Sequence, residues 1–514
     1  MTKPALPSNA APAVEFAGVS KRFGAVLAND AVSFAIARGA IHGIVGENGA
    51  GKSTLMSILY GFYQPDSGAI RLDGEPVRIR TSHEAIARGI GMVHQHFMLV
   101  DAFTVLENIV LGIEGGALLG AGLDRARAKL AELGRDYGLE VDADARVGDL
   151  PVGVQQRVEI LKTLYRGAEI MILDEPTAVL TLQEVEGLFA TLQKLRNEGK
   201  TVIIVTHKLR EIMALTDAVT IMRAGKVAAQ RATAETSAAE LAELMVGRKL
   251  DPPRRAPATP GPVVLEVRDL SLRDRRGVAL LDGIDFTARR GEILGIAGVS
   301  GNGQTELLEV LAGLRAPSRG RIVFEGEDLA PHYGPDLPAR LRRKGIAHVP
   351  EDRHGAGMVM PFSAQENAVL GYQGDRDLGP GPMLQPSRLL DRCRRFMAKF
   401  DVRPADPALR ASLFSGGNQQ KLVLAREIDR DPELLLIGQP TRGVDIGAIE
   451  FIHGQLLALR AAGKALIVVS TELEEILALA DRILVMCAGR ITGELAAGEA
   501  DEARIGLMMA GMAA

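Results

Sequence analysis

The chain has no tryptophan and only two cysteines, and aromatic residues make up 4% of its 514 positions. Cys393 and Cys487 lie far apart and outside any metal-ligand spacing. They offer neither a disulfide framework nor a zinc site, and read as small core residues in a reducing compartment. No apolar run approaches the roughly 18–20 residues that a membrane-spanning helix needs. Val202–Val205 and Leu466–Val469 are short and mostly β-branched, so they read as buried strands. The Ala/Pro-rich start has no apolar core and is expected to be a disordered tail over residues 1–13, not a signal peptide. A strong basic balance is also missing. The net charge of −4 and pI near 6.2 argue against nucleic acid as a partner. The basic run Arg392–Arg395 alternates with apolar residues at helical spacing and is expected to be a solvated helix face.

What the chain does have is length for several domains and an internal repeat. Gly46–Thr54 is echoed by Gly298–Glu306, with 252 residues between the first glycines. Asp174–Thr177 is echoed by Gly438–Thr441, and Thr206-His207 by Ser470-Thr471, each 264 apart. The twelve extra residues of the second copy are expected near Leu329–Pro338. Asp251–Pro262 carries five prolines in twelve residues and reads as a short, stiff linker holding two domains close together. The domains are therefore expected at 14–250 and 263–510. In each, strands such as Ile41–Val45 and Ile293–Ala297 alternate with helices such as Asp124–Tyr137 and Leu182–Asn197. That pattern predicts an α/β fold with a mainly parallel sheet.

Gly46-Glu47-Asn48-Gly49-Ala50-Gly51-Lys52-Ser53-Thr54 is a P-loop between an expected strand and an expected helix. Glycines let backbone N–H groups turn inward onto phosphate oxygens, and the helix N-terminus adds positive potential. Lys52 is placed to reach the β- and γ-phosphates and Ser53 to offer its hydroxyl to Mg²⁺. The apolar strand before Asp174-Glu175 ends in two acids, Asp174 for the metal and Glu175 for the attacking water. His207, after the next strand, is placed to touch the γ-phosphate. Gln95 is placed to touch both metal and water. His94 and His96 flank it at a spacing that suggests a metal pair, but no cysteine is near and none is expected.

Together with Phe414-Ser415-Gly416-Gly417-Asn418-Gln419-Gln420-Lys421, these motifs resemble those of an ABC ATPase over nearly the whole chain. The resemblance implies two tandem P-loop domains, each with a helical and an antiparallel β subdomain. It implies ATP and Mg²⁺ as ligands and a head-to-tail arrangement. The Ser415, Gly416 and Gly417 signature and Asp445 of the second domain would then complete the ATP site built on the first. Phe23 resembles the ring that stacks on adenine.

The departures sort by composite site. In the second half Lys52 is matched by Gln304, Asp174 by Gly438, Glu175 by Gln439, His207 by Thr471, Gln95 by Glu351 and Phe23 by Asp274. In the first half the signature is the damaged element, Leu150-Pro151-Val152-Gly153, and Thr181 stands where Asp445 stands in the second. One hydrolytic and one degenerate site are expected. The degenerate one keeps a phosphate cradle in Gly298, Gly301, Gly303 and Thr305.

The tandem layout and Pro350-Glu-Asp-Arg353 resemble the simple-sugar and nucleoside importer group. Met92–Met98 and Gly438–Arg442 are similar to its nucleoside-type members. That resemblance implies two integral-membrane permease subunits, an extracytoplasmic substrate-binding lipoprotein, and a peripheral position on the cytoplasmic face of the plasma membrane. Tandem ABC proteins of ribosomes would keep two intact sites. Those of DNA repair would carry cysteine clusters.

Overall fold

In the computed structural model the described residues are 11–24, 26–94, 97–112, 120–177, 180, 182–249, 251, 253–257, 259–299, 301–329, 333–379, 383–509 and 511. Gln95, His96, Thr181, Ser300, residues 330–332 and most of the expected tail lie outside them. The chain divides into two compact units, Met1–Leu250 and Asp251–Ala514.

Each unit is built on a six-stranded sheet. In the first the order is Lys226–Ala232, Ala218–Arg223, Ile41–Val45, Thr201–Thr206, Ile170–Asp174, Ile90–Val93. Neighbours are parallel except the edge strand Lys226–Ala232, which pairs antiparallel with Ala218–Arg223. The second unit repeats this order from Arg490–Ala496, through Arg482–Cys487, Ile293–Ala297, Ala465–Ser470 and Leu434–Gly438, to Ile346–Val349. The central strands are rich in Val, Ile and Leu, with every residue buried. Such runs suit a sheet covered on both faces.

The two faces have different covers. An antiparallel four-stranded sheet packs with the P-loop helix on one side of the first unit, around Phe16, Phe34, Leu55 and Met56. On the other side lies a helical layer. There Leu130, Leu133 and Tyr137 of the helix Gly120–Tyr137, at the spacing of one helix face, pack with Ala126 into the cluster of Val105, Ile109 and Val158. The second unit repeats both layers.

Two expectations need correction. The extra residues of the second unit are not one insertion. Ile90 and Ile346 are 256 apart, the capped helix starts Thr104 and Ser363 are 259 apart, and Leu150 and Phe414 are 264 apart. Some of the added length therefore forms the wide π-type turn Arg353–Gly357, which Asp352 caps by accepting from the His354 and Gly355 amides. The second correction is Arg392. Arg394 and Arg395 are exposed as expected, but Arg392 is buried and faces Asp375 at 3.1 Å. Its guanidinium ties the helix Pro386–Lys399 to an acidic loop, so the apolar side of that helix includes one paired cation. Of the cysteines, Cys393 is fully buried and Cys487 half-buried.

His42, inside the P-loop strand, is buried and shares a 2.8 Å hydrogen bond with Thr220 Oγ1. Burial pushes its pKa from 6.5 down to about 4. An unfolded chain would take up a proton there near pH 6.5, the folded chain only near pH 4. Stability of the first unit is therefore expected to fall as pH drops across that window. Thermal unfolding followed from pH 7 to 4.5 should show the loss, and His42→Leu should flatten it.

Candidate functional site

The P-loop begins where the buried strand Ile41–Val45 leaves the sheet. Two of its glycines are geometrically required. A Cβ on Gly46 would stand 2.3 Å from the carbonyl oxygen of Met222, and one on Gly51 2.2 Å from that of Ala28. Gly51 also holds φ at +92°, in the left-handed region, as the cap of the helix Lys52–Leu59. Gly49 has φ +82° with open space around it. Within the loop the Ala50 amide donates to the Glu47 carbonyl, with Asn48 between them. Lys52 Nζ donates to the carbonyl oxygens of Gly46 at 2.7 Å and Glu47 at 3.0 Å, so the ammonium lies over the cradle. Burial pushes its pKa down, and the nearby Glu175, Asp174 and Glu47 oppose that shift.

Asp174 ends the strand Ile170–Asp174 and is itself buried. Burial raises its pKa, and the hydroxyl of Ser53, which hydrogen-bonds it, works in the opposite direction. Its Oδ1 atom is buried without a hydrogen-bond partner. A carboxylate oxygen left unsatisfied beside a P-loop serine fits a hard divalent cation that brings its own waters and phosphate oxygens. Glu175 follows with φ +52°, a left-handed backbone rare for a residue with a side chain. Its amide donates to Val205 across the sheet edge, and its Oε1 lies 2.9 Å from His207 Nδ1. The structure thus brings together Lys52, Ser53, Asp174, Glu175 and His207. Thr54 continues the first turn of the helix. Phe23 closes a strand some distance along the chain, half-exposed and edge-on to Tyr63 at 5.0 Å.

The second unit keeps this backbone and changes the chemistry. Gly301 and Gly303 hold φ of +89° and +99°. Gln304 stands at the Lys52 position and donates to the Val299 carbonyl at 3.1 Å, beneath Gly298. Gln439 repeats the left-handed backbone of Glu175, with φ +50° and the same amide bond across the sheet edge, to Val469. Its Oε1 accepts from the amide and hydroxyl of Thr471, both at 3.2 Å, in place of the carboxylate–imidazole pair. Thr305 Oγ1 donates to Glu351 Oε2 at 2.6 Å. Asp274 accepts from the Arg276 and Val278 amides and shapes its own turn, where the first unit has Phe23.

The signature helix Gly416–Ile428 is capped by Ser415, whose Oγ accepts from the Asn418 side-chain amide at 2.8 Å. Asp445 caps the next helix, Ile446–Ala461, by accepting from the Ala448 amide at 2.7 Å. A Cβ on Gly417 would stand 3.1 Å from Asp445 Oδ2, which joins the two loops. In the first unit the matching helix Val152–Tyr165 starts at Pro151, which offers no cap. Gln155 and Gln419 nonetheless bond the equivalent loop carbonyls, Leu150 and Phe414. The damage is therefore local to the cap.

Three residues escaped the sequence reading. Arg353 Nη1 donates to the Arg442 carbonyl at 2.7 Å, and its guanidinium abuts Gly416 and Gly443. It braces the signature against the Asp445 loop, although Pro350–Arg353 registered only as a subgroup mark. Glu211 accepts from Thr177 and, at 3.4 Å, from Thr206, and so holds the loops around Glu175 and His207. Its place on the helix after His207 was the available signal. Tyr63, beside Phe23, could have been found as an aromatic in a chain with few. A cavity of about 230 Å³ is lined by Tyr60, Phe62, Met92, His94, Lys162 and Arg166.

The two glycine positions make opposite predictions. Gly51→Ala meets both a carbonyl oxygen and a left-handed backbone, and should abolish ATP binding by the first unit. Gly49→Ala meets only the backbone penalty of about 1–2 kcal/mol. It should retain binding with modest weakening, as measured with a fluorescent ATP analogue.

Comparison with known proteins agrees with this geometry. The family model described as ABC transporter matches residues 29–178 and again 281–442. The nucleoside import ATP-binding protein NupA of Lactococcus lactis subsp. cremoris is 45% identical over 97% of this chain and 98% of its own length. The guanosine import ATP-binding protein NupO of Bacillus subtilis is 44% identical over 97% of each. The glucose import ATP-binding protein TsgD13 of Haloferax volcanii is also 44% identical, over 97% of this chain and 96% of its own. With a P-loop, an acidic strand end and a signature helix arranged as that family requires, the chain belongs to the ABC transporter family, as two fused ATPase domains.

Proposed function

We propose that this chain powers the import of nucleosides, hydrolysing ATP at one composite site and holding nucleotide at a second without useful hydrolysis. The observation that carries the asymmetry is the pair His207–Glu175, 2.9 Å apart, set against Thr471–Gln439 on the same backbone. A carboxylate held by an imidazole can orient water and accept its proton. An amide cannot act as that base.

At the working site Lys52 and the loop amides of Gly46–Thr54 bind the phosphates. Glu175 positions the water, and His207 holds Glu175 and contacts the γ-phosphate. Phe23 offers its ring to adenine. In the head-to-tail arrangement that the family resemblance implies, Ser415, Gly416, Gly417 and Asp445 close over that nucleotide. Mg²⁺ would be held by Ser53 and Asp174, with Gln95 a further ligand by its place in the motif series, and would neutralise charge between the phosphates. The orphaned oxygen of Asp174 supports this assignment. At the second site Gly298, Gly301, Gly303 and Thr305 keep the cradle. Gln304 in place of lysine costs on the order of 1.5–3 kcal/mol of charge-assisted bonding.

Among the described residues no helix is long and apolar enough to cross a membrane. The transport path is therefore assigned to two separate permease subunits, and cargo capture to an extracytoplasmic substrate-binding lipoprotein. The chain would sit peripherally on the cytoplasmic face of the plasma membrane. The cavity beside His94 is a suitable seat for a permease segment. Nucleoside cargo rests on the likeness to NupA and NupO. A monosaccharide importer is the second reading, because the glucose import relative and NupO are each 44% identical to this chain.

Two measurements test these assignments. Glu175→Gln should abolish ATP hydrolysis, by at least about a hundredfold, while Gln439→Ala should leave most of it. Equal losses would contradict the asymmetry. In cells, Glu175→Gln should stop uptake of labelled nucleosides and spare that of labelled monosaccharides. The reverse pattern would select the second reading.

A further inference from the structure

The second unit lacks the metal-holding aspartate, since Gly438 stands at the position of Asp174. The space is not empty. A Cβ on Gly438 would stand 2.9 Å from the backbone nitrogen of Glu351 and 3.1 Å from its Cα and Cβ. Glu351 occupies ground that an aspartate side chain would need. Its carboxylate accepts the Thr305 hydroxyl at 2.6 Å. Thr305 is the P-loop hydroxyl that matches Ser53, and in the first unit that hydroxyl is bonded to Asp174. The hydroxyl–carboxylate pair therefore survives in the second unit, with its acid supplied by the loop after the strand Ile346–Val349.

We propose that Glu351 takes over the role of the lost aspartate, so that the degenerate site binds its nucleotide as a divalent-metal complex through Thr305 and Glu351. This rests on the reading above that the second site still holds nucleotide. Charge supports it. Relative to the first unit, the second has lost one cation, at Gln304, and two anions, at Gly438 and Gln439, and has gained one anion, at Glu351. A single carboxylate with a hydroxyl suffices for Mg²⁺, which takes its remaining ligands from phosphates and water. Among the described residues no cluster of three or more His, Cys, Asp or Glu is arranged for a metal, in keeping with a site that only nucleotide completes. Arg442, mostly exposed, lies 3.3 Å from the other oxygen of Glu351. It neutralises the carboxylate in the absence of metal and is free to turn toward phosphate when metal arrives.

The swap also accounts for the missing hydrolysis without a missing metal. Glu351 binds, but neither Gln439 nor Thr471 can accept a proton from water at neutral pH. The second site would be a metal–nucleotide clamp.

The test counts metal and nucleotide separately on the full-length chain. The imido analogue of ATP is added, Mn²⁺ is titrated against the EPR signal of the free ion, and bound nucleotide is measured by filtration. The wild-type chain should hold two nucleotides and two Mn²⁺. Glu351→Ala should hold one Mn²⁺ tightly and the second at least about tenfold more weakly. Lys52→Ala should leave chiefly the Mn²⁺ that depends on Glu351. Two nucleotides with one Mn²⁺ in the wild type would overturn the proposal and leave the degenerate nucleotide site standing. So would two unchanged Mn²⁺ sites in Glu351→Ala. One nucleotide would overturn both. Should Glu351→Ala fail to bind nucleotide at the first site, and so to fold, Glu351→Gln serves. It keeps an acceptor for Thr305 and should still weaken the second Mn²⁺ several-fold, and an unchanged affinity would refute the role of Glu351.

Discussion

A fully buried parallel sheet permits polar chemistry only where its strands end. Ile41–Val45, Ile170–Asp174 and Thr201–Thr206 are wholly buried, so their backbone groups are committed to the ladder and their side chains to the core. At the carboxyl edge the ladder stops, and Gly46, Asp174, Glu175 and His207 emerge side by side because their strands are neighbours in the sheet. Residues far apart in sequence meet for that reason alone. The same edge in the second unit brings Gly298, Gly438, Gln439 and Thr471 together.

That constraint explains why the second unit keeps the geometry of the first where its side chains differ. The left-handed backbone at Gln439 goes with the hydrogen bond that its N–H donates to the Val469 carbonyl across the strand end, as that at Glu175 goes with its hydrogen bond to the Val205 carbonyl. Both belong to the fold. Side-chain identity belongs to the chemistry and differs between the two units on the same backbone. Gln304, Gln439 and Thr471 stand where Lys52, Glu175 and His207 stand in the first unit, and the sheet is the same. The first unit shows the converse at its signature, where Pro151 removes the cap while Gln155 still fixes the loop.

Much of this was legible beforehand. The strand and helix runs were, because continuous Val/Ile/Leu segments and the stripe of Leu130 and Leu133 carry their periods openly. The helix Leu182–Asn197 falls on its expected bounds. Glycine spacing around Lys52 marked the cradle, since few other patterns place so many glycines between a strand and a helix. What stayed hidden depended on three-dimensional neighbours. Arg392 looked solvated because its partner Asp375 lies outside its helix. The added length of the second unit was assigned to one loop because offsets between distant motifs cannot show where residues enter. Glu351 read as a simple loss of Gln95. Only its contact with Thr305 and its closeness to Gly438 point to the carboxylate as the proposed stand-in for an aspartate.

The central claim is that one chain carries one hydrolytic site and one that retains its nucleotide. The direct measurement is the nucleotide content of the full chain, assembled with its permeases, after rapid quench during turnover. Site-resolved photolabelling with an azido-ATP would assign each nucleotide to its peptide. The account predicts ADP with the P-loop of Lys52 and unhydrolysed ATP with that of Gln304. ADP formed at both P-loops at comparable rates would contradict it.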